Sequence, residues 1–143
     1  MRRSAALFFA VFSCSSPSAP PPGAAGPVEA VQEFAAALER GDAAAAYGLL
    51  SSRTQREADQ IAARARTSAA GASGIPESGR QMLFGSALPS GKVEVREVSR
   101  QGDTAQVEVV DSAHHARTYR VIRDKDVWKV DLDLSSSGAD AGR

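Results

Sequence analysis

The chain is short of nearly everything that would announce a chemistry. A single cysteine among 143 residues means that no disulfide can close within it. Charge of one sign is missing too, because 17 Lys and Arg balance 17 Asp and Glu and the formal net charge is zero. A nucleic-acid binder concentrates basic residues on one face, and without that footprint no nucleic acid is expected as a partner. The only histidines are the neighbours His114 and His115. What is present is ordinary: 43% hydrophobic and 24% charged residues, the composition of a globular chain, at a length that suits one domain.

Long apolar runs are also lacking. Ala5 to Ser13 carries no charge and follows the basic start Met1-Arg2-Arg3. As a helix, nine residues reach about 14 Å, half of a hydrocarbon core of about 30 Å. That length is too short to span and suits the apolar region of a signal peptide. Val11-Phe12-Ser13-Cys14 resembles a bacterial lipobox, with an aliphatic residue three places before the cysteine and a small one just before it. Phe12 stands where that motif usually has a small or aliphatic residue. The resemblance implies a signal peptide and lipobox over residues 1–14, with Cys14 as the lipidation site through its thiolate. It also implies a protein of the cell envelope, held to a membrane by acyl chains and facing away from the cytoplasm. Each buried methylene contributes about 0.8 kcal/mol, and two or more chains anchor stably where one does not. A plain secretory peptide with an incidental cysteine and an uncleaved segment are the alternatives. No conventional Ala-X-Ala site lies near this point, which favours the lipid. Without Arg2 and Arg3 the balance becomes 15 basic against 17 acidic residues, or −2.

Residues 15–26 hold four prolines and no large apolar side chain. Extended polyproline geometry, at about 3.1 Å per residue, makes this segment a spacer of up to roughly 35–40 Å. A proline-recognition ligand is the sharper alternative. Residues 27–134 then read as one α+β domain, and residues 135–143 as a polar, disordered tail.

In the domain's first half the spacing is helical. Val28, Val31, Phe34, Ala35 and Leu38 recur at three and four behind Pro27, a residue suited to the first helical position. Gly41 should stop this helix and Asp42 should cap a second over Ala43 to Leu50. Ser52 with Gln55 fits a capping box for a third, carrying Ala58, Ile61, Ala62 and Ala65 inward on a thin stripe. Pro76 opens a short fourth helix to about Ala87, with Met82, Leu83, Phe84 and Leu88 facing in.

From Lys92 the period becomes two. Val93, Val95 and Val98 form a strand whose alternation slips at Arg96-Glu97, a bulge. Ala105, Val107 and Val109 alternate in the next strand, Tyr119 and Val121 in the third, and Trp128, Val130, Leu132 and Leu134 in the fourth. Alternation throughout predicts an antiparallel meander with one wet face, the other covered by the helices. The fold class is therefore α+β, N-terminal helices packed on a four-stranded antiparallel sheet.

Two stretches carry a further likeness. Ala37-Leu38-Glu39-Arg40-Gly41-Asp42 through Leu50-Ser51, and Gly102-Asp103-Thr104-Ala105 with Asp126-Val127-Trp128-Lys129-Val130, resemble the nuclear-transport-factor-2-like superfamily, especially its small bacterial lipoprotein branches of unknown function. The likeness covers about Val28 to Leu134 and its motifs are structural. It implies that the four-stranded antiparallel sheet is curved and wraps the helices in a cone, often with an apolar cavity. Some members are isomerases or hydratases, and many bind or dimerise through the sheet.

No residue set stands out as catalytic, and neither a metal nor a cofactor is expected. Asp131, Asp133 and Glu108 fall on the face opposite the valines and should point into water, out of reach of a buried proton. His114 and His115 should lie in an exposed connection, since adjacent strand residues face opposite ways. Phe34, Tyr47, Phe84, Tyr119 and Trp128 either fill the core or line a pocket, with the two tyrosine hydroxyls and the indole N–H as polar handles. The leading expectation is a non-catalytic domain that binds a ligand, an envelope protein or a second copy of itself. The alternative is a small-molecule binder or isomerase with an apolar cone-shaped pocket.

Overall fold

The computed structural model describes residues 23–69, 72–86 and 91–135. The signal peptide, Cys14, most of the spacer, Ala87, Leu88 and residues 136–143 lie outside the described residues. Four helices precede a four-stranded sheet: α1 (Pro27–Glu39), α2 (Ala43–Gly48), α3 (Ser52–Ser68), α4 (Gly79–Phe84), then β1 (Val93–Gln101), β2 (Thr104–Asp111), β3 (Ala116–Asp124) and β4 (Val127–Asp131). The strands pair antiparallel in the order β1-β2-β3-β4, so the sheet is an open meander and the chain is α+β.

Helix α1 is the lid of the core. Its buried stripe is Pro27, Ala30, Val31, Phe34 and Ala37, with Leu38 half-buried beside it. It ends where the sequence places its stop: Gly41 adopts φ +68°, a conformation that only glycine takes without cost. The Gly41 N–H then bonds to Leu38 O and the Asp42 N–H to Ala37 O, at 3.0 and 2.9 Å, which satisfies two terminal carbonyls of the helix. Asp42 Oδ1 accepts the Ala45 N–H at 2.9 Å and starts α2.

Two local expectations fail, for related reasons. Helix α2 stops at Gly48 and does not run to Leu50, because Leu50, fully buried, leaves the helix to form a parallel bridge with Val130. The capping box at Ser52 also does not form. The cap of α3 is Ser51, whose Oγ accepts the Thr54 N–H, while Gln55 Nε2 reaches back to Tyr47 O and Leu50 O. The Ser52 N–H is instead taken by Asp124 Oδ2 at 2.7 Å. In both cases a long-range partner on the sheet wins over the local motif.

The thin alanine stripe of α3 buries Ala58 and Ala62 and leaves Ile61 and Ala65 half-buried. Its main neighbour is α4, which starts later than Pro76 implies, at a cap on Ser78. Gly79 makes the contact so close that a Cβ there would sit 2.6 Å from Asp59 N and 2.7 Å from Ala58 C. Asp59 Oδ1 accepts the Gly79 N–H at 2.7 Å.

In the sheet, inward residues form rows across the strands: Val95, Val109 and Arg117; Glu97, Val107 and Tyr119; Arg100, Ala105, Val121 and Val130. The irregularity in β1 falls between Glu97 and Ser99. Val98 is therefore no core residue but the bulged one, 57% exposed at the free edge of the sheet. A bulge among charged neighbours is a usual way to blunt an unpaired edge. The β4 edge is handled differently, by covering it. Ala24 exchanges two backbone hydrogen bonds with Trp128, the Ser51 N–H reaches Val130 O, and the Val130 N–H reaches Leu49 O.

The helix that covers the sheet is shorter than the first three strands beneath it. Thirteen helical residues extend about 20 Å, whereas the nine of β1 extend about 30 Å. Helix α1 therefore cannot roof the whole inner face. At the N-terminal end of α1 the guanidinium of Arg100 lies 5.3 Å from the centre of the Trp128 ring and serves as cover. Past the other end, beside the β2–β3 turn, the face stays open.

Candidate functional site

That opening is a cleft of about 230 Å3 between the C-terminal half of α1 and the near ends of β1, β2 and β3. Its floor is apolar: Val31, Phe34, Ala35 and Leu38 from the helix, with Val93, Val109 and Tyr119 from the strands. These are the same periodic positions that elsewhere fill the core. Phe34 meets Tyr119 edge-on with ring centres 6.2 Å apart, and Phe84 approaches Phe34 at 6.3 Å from behind.

The mouth is polar, formed by Lys92, Asp111, Ser112, His115 and Arg117. Asp111 ends β2 in register with Val93, and its carboxylate folds the turn that follows. Oδ1 accepts N–H groups from Ala113 at 2.8 Å and His115 at 2.9 Å, and Oδ2 lies 3.2 Å from His115 Nδ1. The hydrogen bond from the His115 backbone, helped by that from Ala113, holds this carboxyl below the usual carboxylate range against a smaller effect of desolvation. His114 takes φ +64° at the turn, and both histidines are exposed. Arg117, paired with Val109, comes from an inward position of β3, and neither it nor Lys92 has an ion-pair partner among the described residues.

Of the five aromatic residues singled out by the sequence, the structure gathers Phe34, Phe84 and Tyr119, and two of these face the cleft. Trp128 is buried beneath Ala24 and Arg100. Tyr47 lies elsewhere, its hydroxyl donating to Gln55 O at 3.0 Å, and burial together with the Asp59 carboxylate pushes its pKa up to about 12. It offers no polar handle to the cleft.

No family model, curated protein or solved structure matches the chain. The superfamily likeness thus rests on the quoted residues alone. Among the described residues there is no cluster of three or more metal-ligating side chains, and no helix is long and apolar enough to cross a membrane.

Sequence reasoning missed the strongest polar cluster. Asp131 does lie on the face opposite the valines, but it is not in water: its side chain is 1% exposed. Ser51 Oγ donates to Oδ1 at 2.6 Å, and Arg53 grips both oxygens, with Nε 3.1 Å from Oδ1 and Nη2 3.0 Å from Oδ2. Thr54 Oγ1 stands 3.3 Å from Oδ1 and accepts the Leu132 N–H, while Arg120 Nε approaches Oδ2 at 3.6 Å. The end of α3 that caps on Ser51 covers this carboxylate, which alternation along one strand could not reveal. Burial alone would raise its pKa, but the hydrogen bonds from Arg53 and Ser51 and the arginine charges outweigh it and hold the carboxyl ionised. Every acceptor is occupied, and the cluster fastens β4 to α3. Glu108 behaves as expected of an outer-face residue, receiving Arg96 Nε at 2.7 Å across the strands.

Proposed function

We infer that the chain is an envelope lipoprotein, anchored through Cys14, whose domain works by binding a ligand and not by catalysis. One observation carries the binding part: the cleft past the end of α1 joins an apolar floor to a polar mouth, as small-molecule sites do. The anchoring part rests on the lipobox-like Val11-Phe12-Ser13-Cys14 and the spacer after it. A second, more open hollow of about 330 Å3 over Ser99, Gln101, Thr104, Ala105 and Gln106 has no charged or aromatic wall, and it supports no such reading.

The alternative of an isomerase-type enzyme with a carboxylate base would use Asp111, the carboxylate that lines the cleft. A carboxylate already bonded by two backbone N–H groups and facing a histidine is a weak proton acceptor, which favours binding over proton abstraction.

Both parts can be tested in the native envelope. Acyl label should enter the wild-type protein, and Cys14→Ala should abolish the label and release the protein from the membrane. Native mass spectrometry of protein taken from its own envelope should show a bound small molecule that is lost in Leu38→Lys, a change on the cleft floor. An empty domain in every preparation would overturn the binding reading.

A further inference from the structure

We propose that the cleft takes a small monocarboxylic acid with an apolar body, which lies on Phe34, Val109 and Tyr119 while its carboxylate meets Arg117 and Lys92. This assignment rests on the binding function and adds the chemical class of the ligand.

Size sets the first limit. A cavity of about 150 Å3 holds one benzene ring, and sites for drug-sized ligands start near 300 Å3. At about 230 Å3 the cleft has room for a ring with a short side chain, or for a comparable alkyl chain. The aromatic edges of Phe34 and Tyr119 suit a ring in particular.

Charge sets the second. The mouth carries two cations without ion-pair partners among the described residues, Lys92 and Arg117, against one carboxylate, Asp111. Both Asp111 oxygens are engaged within their own turn and neither forms an ion pair with Lys92 or Arg117, so with its charge counted the three groups still leave the mouth at +1. A positively charged ligand is repelled here, a neutral one leaves the cations unused, and a small inorganic anion makes no use of the floor. A guanidinium fork fits a planar carboxylate through two parallel hydrogen bonds. Arg117 pairs directly with Val109 of the floor and lies two residues before Tyr119 on the same face of β3, at the end of the floor toward the β2–β3 turn, where the head group of a ligand seated there would emerge.

The test uses the full-length chain, 3-phenylpropionate as the probe and 3-phenyl-1-propanol as its neutral counterpart, followed by ligand-observed NMR. The acid should saturate with a Kd of about 1 mM or tighter, and the alcohol should bind about tenfold more weakly. Arg117→Gln should bring the acid to the level of the alcohol. Ala35→Trp, which fills the floor, should abolish both; if it does not fold, transferred Overhauser contacts from the probe ring to Phe34 and Tyr119 locate the site in the native protein. Equal binding of acid and alcohol overturns the carboxylate assignment. So does binding that survives Ala35→Trp or makes no contact with Phe34. Failure of the acid to bind also overturns it, whereas the broader binding reading falls only if protein from the native envelope is empty as well.

Discussion

The two ends of the domain's polar chemistry make an instructive pair. At the β4 edge, Asp131 is buried and every oxygen has a donor from Ser51, Arg53 or Thr54. At the cleft, Lys92 and Arg117 are exposed and have no ion-pair partner among the described residues. A polar group that is buried and fully satisfied holds a structure together, because removing either partner strands the other. A polar group left at the lip of an apolar hollow contributes little to folding and is available to something else. The contrast separates residues that keep the fold from residues that use it.

The sharpest way to break the contrast is Asp131→Ala. It removes the carboxylate that Ser51, Thr54 and Arg53 share, leaving Arg53 with Glu57 and Leu132 O and Thr54 with Leu132 O, and loss of one partner from a buried charged pair costs about 3–5 kcal/mol. Since Arg53 is itself 46% exposed and can turn to water, the lower end, about 3 kcal/mol in urea unfolding, is expected. A loss under about 1 kcal/mol would mean that the cluster fastens nothing.

Next in size is Gly79→Ala. A new Cβ would meet the α3 backbone at 2.6 Å, and neither helix can yield without disturbing Ala58 and Ala62. Overpacking of this kind costs about 2 kcal/mol. A melting temperature equal to wild type would show that α4 can move away freely.

Acid should erase the difference between wild type and Asp131→Asn. The folded carboxyl lies below its ordinary value, so its stabilisation is complete above the unfolded value near 4 and is lost as pH falls through the folded one. The two proteins should differ clearly at pH 7 and converge at the lowest pH at which both still fold. Asp124, held low chiefly by the Ser52 N–H, follows the same sign, and Asp124→Asn should cost about 1 kcal/mol at neutral pH. A gap that widens with acid would reverse the assignment.

The smallest effect should come from the cleft. Arg117→Gln is expected to leave unfolding free energy within about 0.5 kcal/mol of wild type, as exposed substitutions do. A large loss of stability would place Arg117 with the fastening residues.

Periodicity in the sequence was enough for the order of elements, the inward valines of β2 and the cap at Asp42, because these are set within a few residues of chain. It failed where a distant segment outbid the local motif. Ser51 took the cap from Ser52, and Gln55 turned to α2, because β4 supplied Asp131 and Asp124 supplied an acceptor for the Ser52 N–H. Val98 left the core because a bulge shifts every later side chain by one, and its position is set by cross-strand pairing. The aromatic residues of the cleft were visible as apolar bulk, but no sequence pattern singled out Lys92 or Arg117. Nothing along the chain says which end of the first three strands α1 leaves uncovered.

The grip of Ser51 on Asp131 joins positions 80 residues apart. Contacts of such separation must wait for the intervening chain, and they slow folding relative to helical neighbours. Helix α3 can form its local cap early, but the Asp131 carboxylate that anchors Ser51 arrives only once the fourth strand has been synthesised. Assembly of this domain ends near where it began, with the last strand to arrive completing the first half of the molecule.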